Sequence, residues 1–281
     1  MKRSPKLIDG LHSQLLPEDA YYPEVSVTTK AHGTYQVEGR ILTPDLNLPV
    51  STMMIHGARA DYTKADAIVL PLYAHNIPIL NATTSGHGVV GHQSELNFSF
   101  DENLAEAEAF SALLSGSNLT LIGQSMGGTT AVRLVQNNPD KFSHLVLFYP
   151  TVFPDEVYKI PFGTDEFRAI ASEKGAFLQS SFFDVIKDFS GKIMLIKGEF
   201  DGLNPFDFGK PEENSAFSVV LNGMEVYSPI PPEVFSRILE LRPDTTFLEV
   251  KGADHRFAKW SVAHPKEAKY ISSEIANFIL R

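Results

Sequence analysis

The sequence contains no cysteine, which excludes disulfides, thiolate metal ligands and cysteine nucleophiles from its own chemistry. That fits a reducing compartment. Positive charge is also short: 24 Lys and Arg face 34 Asp and Glu, for a formal net charge of −10. No basic run offsets that balance, so phosphate backbones and anionic headgroups are repelled on average and nucleic acid is not an expected partner. No apolar run approaches the roughly 18 residues that a membrane-spanning helix needs. The stretch after Met1-Lys2-Arg3 lacks the continuous apolar segment of a secretory signal. We therefore expect a soluble, cytoplasmic protein with no membrane span. Repeats, low-complexity tracts and linker-like segments are absent too, and residues 1–281 read as a single domain.

What is present is a core and a rhythm. Hydrophobic residues make up 43% of the 281 positions and charged residues only 21%, enough apolar surface to fold and too little charge for a disordered chain. Strand-like runs at 22–29 and 34–42 precede a buried strand at 50–55. Helical spacing over 63–76 leads to a strand at 77–80. Asp101 is a good N-cap for the helix ENLAEAEAFSALL. Strands at 119–123, 144–148, 193–197 and 246–250 follow, with helices over 127–137 and 266–280. Strands alternating with helices predict an α/β fold, a mostly parallel central sheet flanked by helices, with the leading pair as an antiparallel edge.

Two segments break the rhythm. Residues 151–190 are rich in phenylalanine, including Phe182 and Phe183, and read as a small lid insertion of one or two helices. Residues 203–230 hold two short strand-like runs around Asn222-Gly223, a strong hairpin signal. This hairpin insertion either closes a pocket rim or pairs with another subunit through its edge, so a homo-oligomer is possible.

The chemistry concentrates at Gly123-Gln124-Ser125-Met126-Gly127-Gly128. An apolar strand enters this Gly-x-Ser-x-Gly and a helix leaves it, the context in which a serine hydroxyl projects clear of a sheet. Glycine on either side removes side chains that the sharp turn would bring into collision. The bland alternative is a glycine-rich turn whose serine only caps the helix.

With that motif, the chain resembles the α/β-hydrolase family over roughly residues 49–280. The resemblance implies Ser125 as nucleophile, followed in chain order by an acid and a histidine. Gly198-Glu199-Phe200-Asp201 after the strand at 193–197 looks like the family's acid loop, with Asp201 as the acid and Glu199 in reserve. Gly252-Ala253-Asp254-His255 after the last strand resembles its histidine loop, with His255 as the base and His264 a weaker candidate. Ile55-His56-Gly57-Ala58 matches the oxyanion loop, implying an oxyanion hole from the backbone N–H groups of Ala58 and Met126, with His56 as a buttress. Where many relatives carry Asp-x-Arg-Gly-His-Gly, this chain keeps only Gly86-His87-Gly88. Arg59 either greets an anionic substrate group or makes a surface ion pair. Phe182 and Phe183 either line an acyl or aryl pocket or pack the sheet.

The resemblance thus implies a serine hydrolase acting on a small-molecule ester or thioester through an acyl-enzyme, with no cofactor or metal. The loop and lid are similar to those of cinnamoyl (feruloyl) esterases and acyl-protein thioesterases. The same triad also serves acyltransferases, carbon–carbon hydrolases and lyases, and the fold serves receptor-type binding modules.

Overall fold

Eight strands form the central sheet of the computed structural model, which describes residues 24–29, 35–45, 47–58, 60, 62, 66–86, 98–204 and 217–281. They are β1 (Glu24–Thr29), β2 (Tyr35–Leu42), β3 (Thr52–Ile55), β4 (Ile79–Ala82), β5 (Leu119–Gln124), β6 (Phe142–Phe148), β7 (Lys192–Gly198) and β10 (Thr246–Val250). A separate two-stranded sheet holds β8 (Ser218–Leu221) and β9 (Met224–Tyr227). The spatial order is β1-β2-β4-β3-β5-β6-β7-β10, and β2 runs antiparallel to both of its neighbours while the remaining pairs are parallel. The mostly parallel sheet with an antiparallel leading pair is as expected. Every residue of β3, β4 and β5 is buried, because helices cover both faces and no face is left for alternating polar residues.

The covering helices are α1 (Asp66–Val69), α2 (Phe100–Ser111), α3 (Met126–Asn137), α4 (Asp165–Ala171), α5 (Ser181–Asp188), α6 (Pro232–Leu241), α7 (Phe257–Ala263) and α8 (Pro265–Ile279). None of the described helices is long and apolar enough to cross a membrane. The helix expected over 63–76 is α1 followed by a 3-10 turn, Leu70–His75. Pro71 explains the change, because it lacks the N–H that would continue the α-helical ladder. The cap of α2 is also corrected: Ser99, not Asp101, is the N-cap, and it closes a capping box with Glu102. Asp101 lies in the first turn and pairs with Arg133 at 2.7 Å. Helices α6 and α7 carried no expectation.

The Phe-rich segment holds α4 and α5, with 3-10 turns at Asp155–Lys159 and Ala176–Gln179. In the hairpin, Asn222 and Gly223 both take positive φ, 52° and 77°, the conformation that a two-residue hairpin turn requires. Arg59, His87, Gly88, the start of the strand at 22 and residues 205–216 lie outside the described residues.

One buried ion pair ties the antiparallel pair β1–β2 to α1, which follows the loop after β3. The Arg40 guanidinium on β2 meets the Asp66 carboxylate on α1, with 2% and 0% of the side chains exposed. Arg40 also lies over the Tyr62 ring, 5.2 Å from its centroid. The Asn81 side chain donates to the Tyr62 carbonyl, and the Tyr62 N–H donates to Thr83 Oγ1 at 3.2 Å. These contacts pin the chain just beyond residues 56–58. Removing one member of a buried pair leaves a desolvated charge, which costs about 3–5 kcal/mol. Arg40→Met should therefore lower the unfolding free energy by about that amount in urea titrations. Arg40→Met with Asp66→Leu should recover most of the loss. A double variant no more stable than the single would show that the charge pair is not the source.

Candidate active site

Ser125 stands where β5 turns into α3, at φ 52° and ψ −118°. A non-glycine residue rarely holds such a backbone, and it persists only where its surroundings over-determine it. Here they do. The Ser125 N–H donates to the Phe148 carbonyl at 2.9 Å, and the Ser125 carbonyl accepts from Gly128 N at 2.9 Å and Thr151 N at 3.0 Å. The flanking glycines are required by contact. A Cβ on Gly127 would run into the Ile55 carbonyl and lie 2.5 Å from that of His56, and one on Gly123 would lie 2.6 Å from the Gly127 carbonyl.

Ser125, His255 and Asp201, from three separate loops, meet in one chain of hydrogen bonds. Ser125 Oγ lies 2.9 Å from His255 Nε2, and His255 Nδ1 lies 2.7 Å from Asp201 Oδ2. Asp201 is fully buried and the His255 side chain 11% exposed. Burial pushes the Asp201 carboxyl above the usual carboxylate range. The His255 hydrogen bond and charge, the Gly202 N–H and the Lys197 cation pull it back toward the ionised form. A carboxylate can only accept, so Nδ1 carries the proton and Nε2 is free to accept one from the serine hydroxyl. The arrangement can therefore draw a proton from Ser125 into the imidazole.

The reserve candidates are elsewhere. Glu199 accepts from Gly252 N at 2.8 Å and so closes the turn ahead of the histidine loop. His264 stacks on Trp260 with ring centroids 4.5 Å apart and bonds the Trp260 carbonyl.

Gly57 lies directly against the nucleophile candidate: a Cβ there would be 3.0 Å from Ser125 Cβ and 3.6 Å from its Oγ. His56 braces this loop. Its Nε2 accepts from Thr84 N at 3.0 Å, so Nδ1 carries the proton and donates to the Gly57 carbonyl at 2.7 Å. Ala58 and Met126 share one apolar cluster with Phe100, Phe153, Tyr158, Phe162 and Phe167. Its rings meet mostly edge to face, for example Phe162 and Phe167 with centroids 5.0 Å apart at 62°, a favourable aromatic geometry.

Phe182 and Phe183 are not part of that cluster. Only 1% and 4% exposed, they point from α5 into the main core. Of the two places expected for them, packing under the helix is the one observed: the amphipathic face of α5 was hidden by the high aromatic content of the whole segment. Sequence reasoning also missed Tyr149. Its ring packs on the His255 imidazole with centroids 4.6 Å apart at 63°, and its hydroxyl accepts from the Gln124 side chain. Burial pushes its phenol well up, so it stays protonated. Tyr149 also has a positive φ of 33°. Its one signal was position, at the carboxyl end of the strand beside β5, where open α/β sheets gather their sites.

The fold is shared with solved structures at low identity. The chain is similar to a thioesterase domain from the curacin biosynthetic pathway, at 15% identity and a TM-score of 0.60, over 92% of this chain and 100% of that one. It is similar to the esterase domain of a Rhodothermus marinus protein, at 14% identity and 0.58, over 92% and 97%. It is similar too to a thermophilic esterase from Thermogutta terrifontis, at 14% and 0.55, over 89% and 99%. No curated protein matches the chain in sequence. A family model does match, over residues 51–192, a span that includes Ser125 and ends before Asp201 and His255. By that match the chain belongs to the hydrolase family described as serine aminopeptidase, S33, on the α/β-hydrolase fold.

Proposed function

We propose that the protein cleaves carboxylic esters or thioesters through an acyl-enzyme on Ser125. The observation that carries this reading is the unbroken line of hydrogen bonds from Ser125 through His255 to Asp201, at 2.9 and 2.7 Å. Ser125 Oγ attacks the acyl carbon as His255 Nε2 takes its proton. The leaving alcohol or thiol departs with that proton, and water, deprotonated by the same nitrogen, releases the acid and restores the serine. Asp201 keeps the imidazole in the required tautomer and stabilises its charged form. The N–H groups of Ala58 and Met126 are assigned to the oxyanion, a contribution of about 3–4 kcal/mol per donor in comparable hydrolases. No step calls for a cofactor.

The aromatic cluster that includes Ala58 and Met126 supports an apolar acyl group in preference to acetyl. Each methylene buried there adds about 0.8 kcal/mol. The family description names an aminopeptidase, and the esterase and thioesterase relatives at the level of fold favour the ester reading. Aminoacyl anilides belong in the same substrate panel as p-nitrophenyl esters and acyl thioesters.

Ser125→Ala should lower kcat by about six orders of magnitude on the best substrate of that panel, with the fold intact. Retention of a few per cent of activity would exclude Ser125 as nucleophile.

Asp201→Asn should slow turnover by about 10⁴-fold, and at neutral pH it should raise Tm. The sign follows from the raised Asp201 pKa. The unfolded carboxyl titrates near about 3.9, and stability present below that value is lost as pH rises through the higher folded one. Asparagine avoids the loss, so its advantage in thermal melts should shrink as pH is lowered toward the ordinary Asp range. A variant less stable than wild type at pH 7 would contradict this.

Phe153→Ala and Phe162→Ala should flatten the rise of kcat/KM with acyl length, by about fourfold per carbon, while Phe182→Ala should lower Tm and leave the slope alone. The opposite pattern would move the acyl site to α5.

A further inference from the structure

The β8–β9 hairpin is not part of the central sheet, and a lone two-stranded hairpin is at best marginally stable in water. Something else must hold it, and the bonds that do so end on the two loops of the candidate site. On the acid side, Leu203 N, two residues beyond Asp201, donates to Ser228 Oγ at 2.8 Å. Ser228 N in turn donates to the Phe217 carbonyl at 2.8 Å, across the base of the hairpin.

On the histidine side, three consecutive residues grip β9. Asp254 Oδ2 accepts from Tyr227 N at 3.0 Å. His255 N donates to the Tyr227 carbonyl at 3.0 Å. Arg256 Nη2 donates to the Glu225 carbonyl at 3.0 Å. The grip is itself braced: Asp254 Oδ1 accepts from Arg256 N at 2.8 Å, and Oδ2 accepts from Arg256 Nε at 2.8 Å. The Tyr227 ring stands 5.8 Å from the imidazole at 71°, and Tyr149 stands 4.6 Å away at 63°. His255 is thus held through its own backbone by Tyr227 and packed by one tyrosine from the core and another from the hairpin.

We propose that the β8–β9 hairpin is a positioning clamp for His255, in which Asp254, locked by Arg256, fixes β9 so that Tyr227 sets the height of the imidazole between Asp201 and Ser125. The inference rests on the reading of Ser125 and His255 as the reacting pair. The length scale explains why such a clamp matters: a misplacement of about 1 Å costs on the order of 10²-fold in rate. His255 sits on a loop, three residues beyond Gly252 with φ +72°, and the bonds to β9 tie loop and hairpin to each other. Asp254, Arg256 and Tyr227 are positioning residues: they act on the reaction through His255.

The test uses a fluorophosphonate probe, whose covalent capture by Ser125 depends on the His255 base and requires no knowledge of the natural substrate. With full-length protein, Asp254→Ala should lower the labelling rate by about 10–100-fold. Asp254→Asn keeps one acceptor oxygen, and Arg256→Ala keeps both while losing the side-chain donors to Asp254 and the Glu225 carbonyl, so each should fall in between. Met224→Ser, on the exposed side of the hairpin, should stay within about twofold of wild type. In hydrolysis of a p-nitrophenyl ester the same clamp variants should lose kcat and keep KM. Should Asp254→Ala fail to fold, the two milder variants decide. Wild-type labelling rates in them, with only a lowered Tm, would reduce the hairpin to a structural appendage and overturn the inference. A wild-type protein that is not labelled on Ser125 would instead overturn the catalytic reading, and the clamp with it.

Discussion

Where α3 begins, its first turn presses on the end of β3 so closely that no side chain fits between them. Gly127 lies against the Ile55 and His56 carbonyls, and Gly123 against Gly127 in turn. That contact forces Ser125 into its strained conformation, and the bonds to Phe148, Gly128 and Thr151 hold it there. The strain is stored where the proposed chemistry occurs, and it is compensated by a sheet buried on both faces. Because β3 ends in the loop that carries Gly57 and Ala58, the same contact brings the candidate oxyanion loop against the serine. The candidate nucleophile and the candidate oxyanion loop are thereby set by one packing event.

Around that fixed point, the remaining parts are held at increasing distance by hydrogen bonds, ring packing and an ion pair. Asp201 gives up hydration and is partly compensated by hydrogen bonds from His255 and Gly202. The Tyr149 ring, tied to Gln124 on β5, the strand that leads into Ser125, packs on the imidazole from the core side. Farther out, the Arg40–Asp66 pair anchors β2 to α1, beyond the candidate oxyanion loop. Each device serves local placement, and none extends the reach of the chemistry.

Much of this was legible in the sequence where the signal is local. Gly-Gln-Ser-Met-Gly after an apolar run, Gly-Glu-Phe-Asp after another and Gly-Ala-Asp-His after the last strand each sit in a short window, and the structure brings Ser125, Asp201 and His255 within hydrogen-bond distance. The alternation of strands and helices gave the sheet. What was hidden depends on which way a side chain points once distant segments meet. A phenylalanine count could not tell Phe182 and Phe183, turned into the main core, from Phe153 and Phe162 beside Met126. Tyr149 and Tyr227 reach His255 from positions far away in the chain. The capping box at Ser99 and Glu102 was readable, and Asp101 drew attention from it only because both are good caps.

A Ser125 made nucleophilic by His255 must carry the acyl group during turnover. Acid quench during hydrolysis of a p-nitrophenyl ester, followed by peptide mass spectrometry, tests it most directly, because triad enzymes accumulate the acylated form in a burst. The acyl mass is expected on the peptide that contains Ser125, together with a stoichiometric burst of p-nitrophenol. Steady hydrolysis without a burst and with the acyl group on another residue would contradict it.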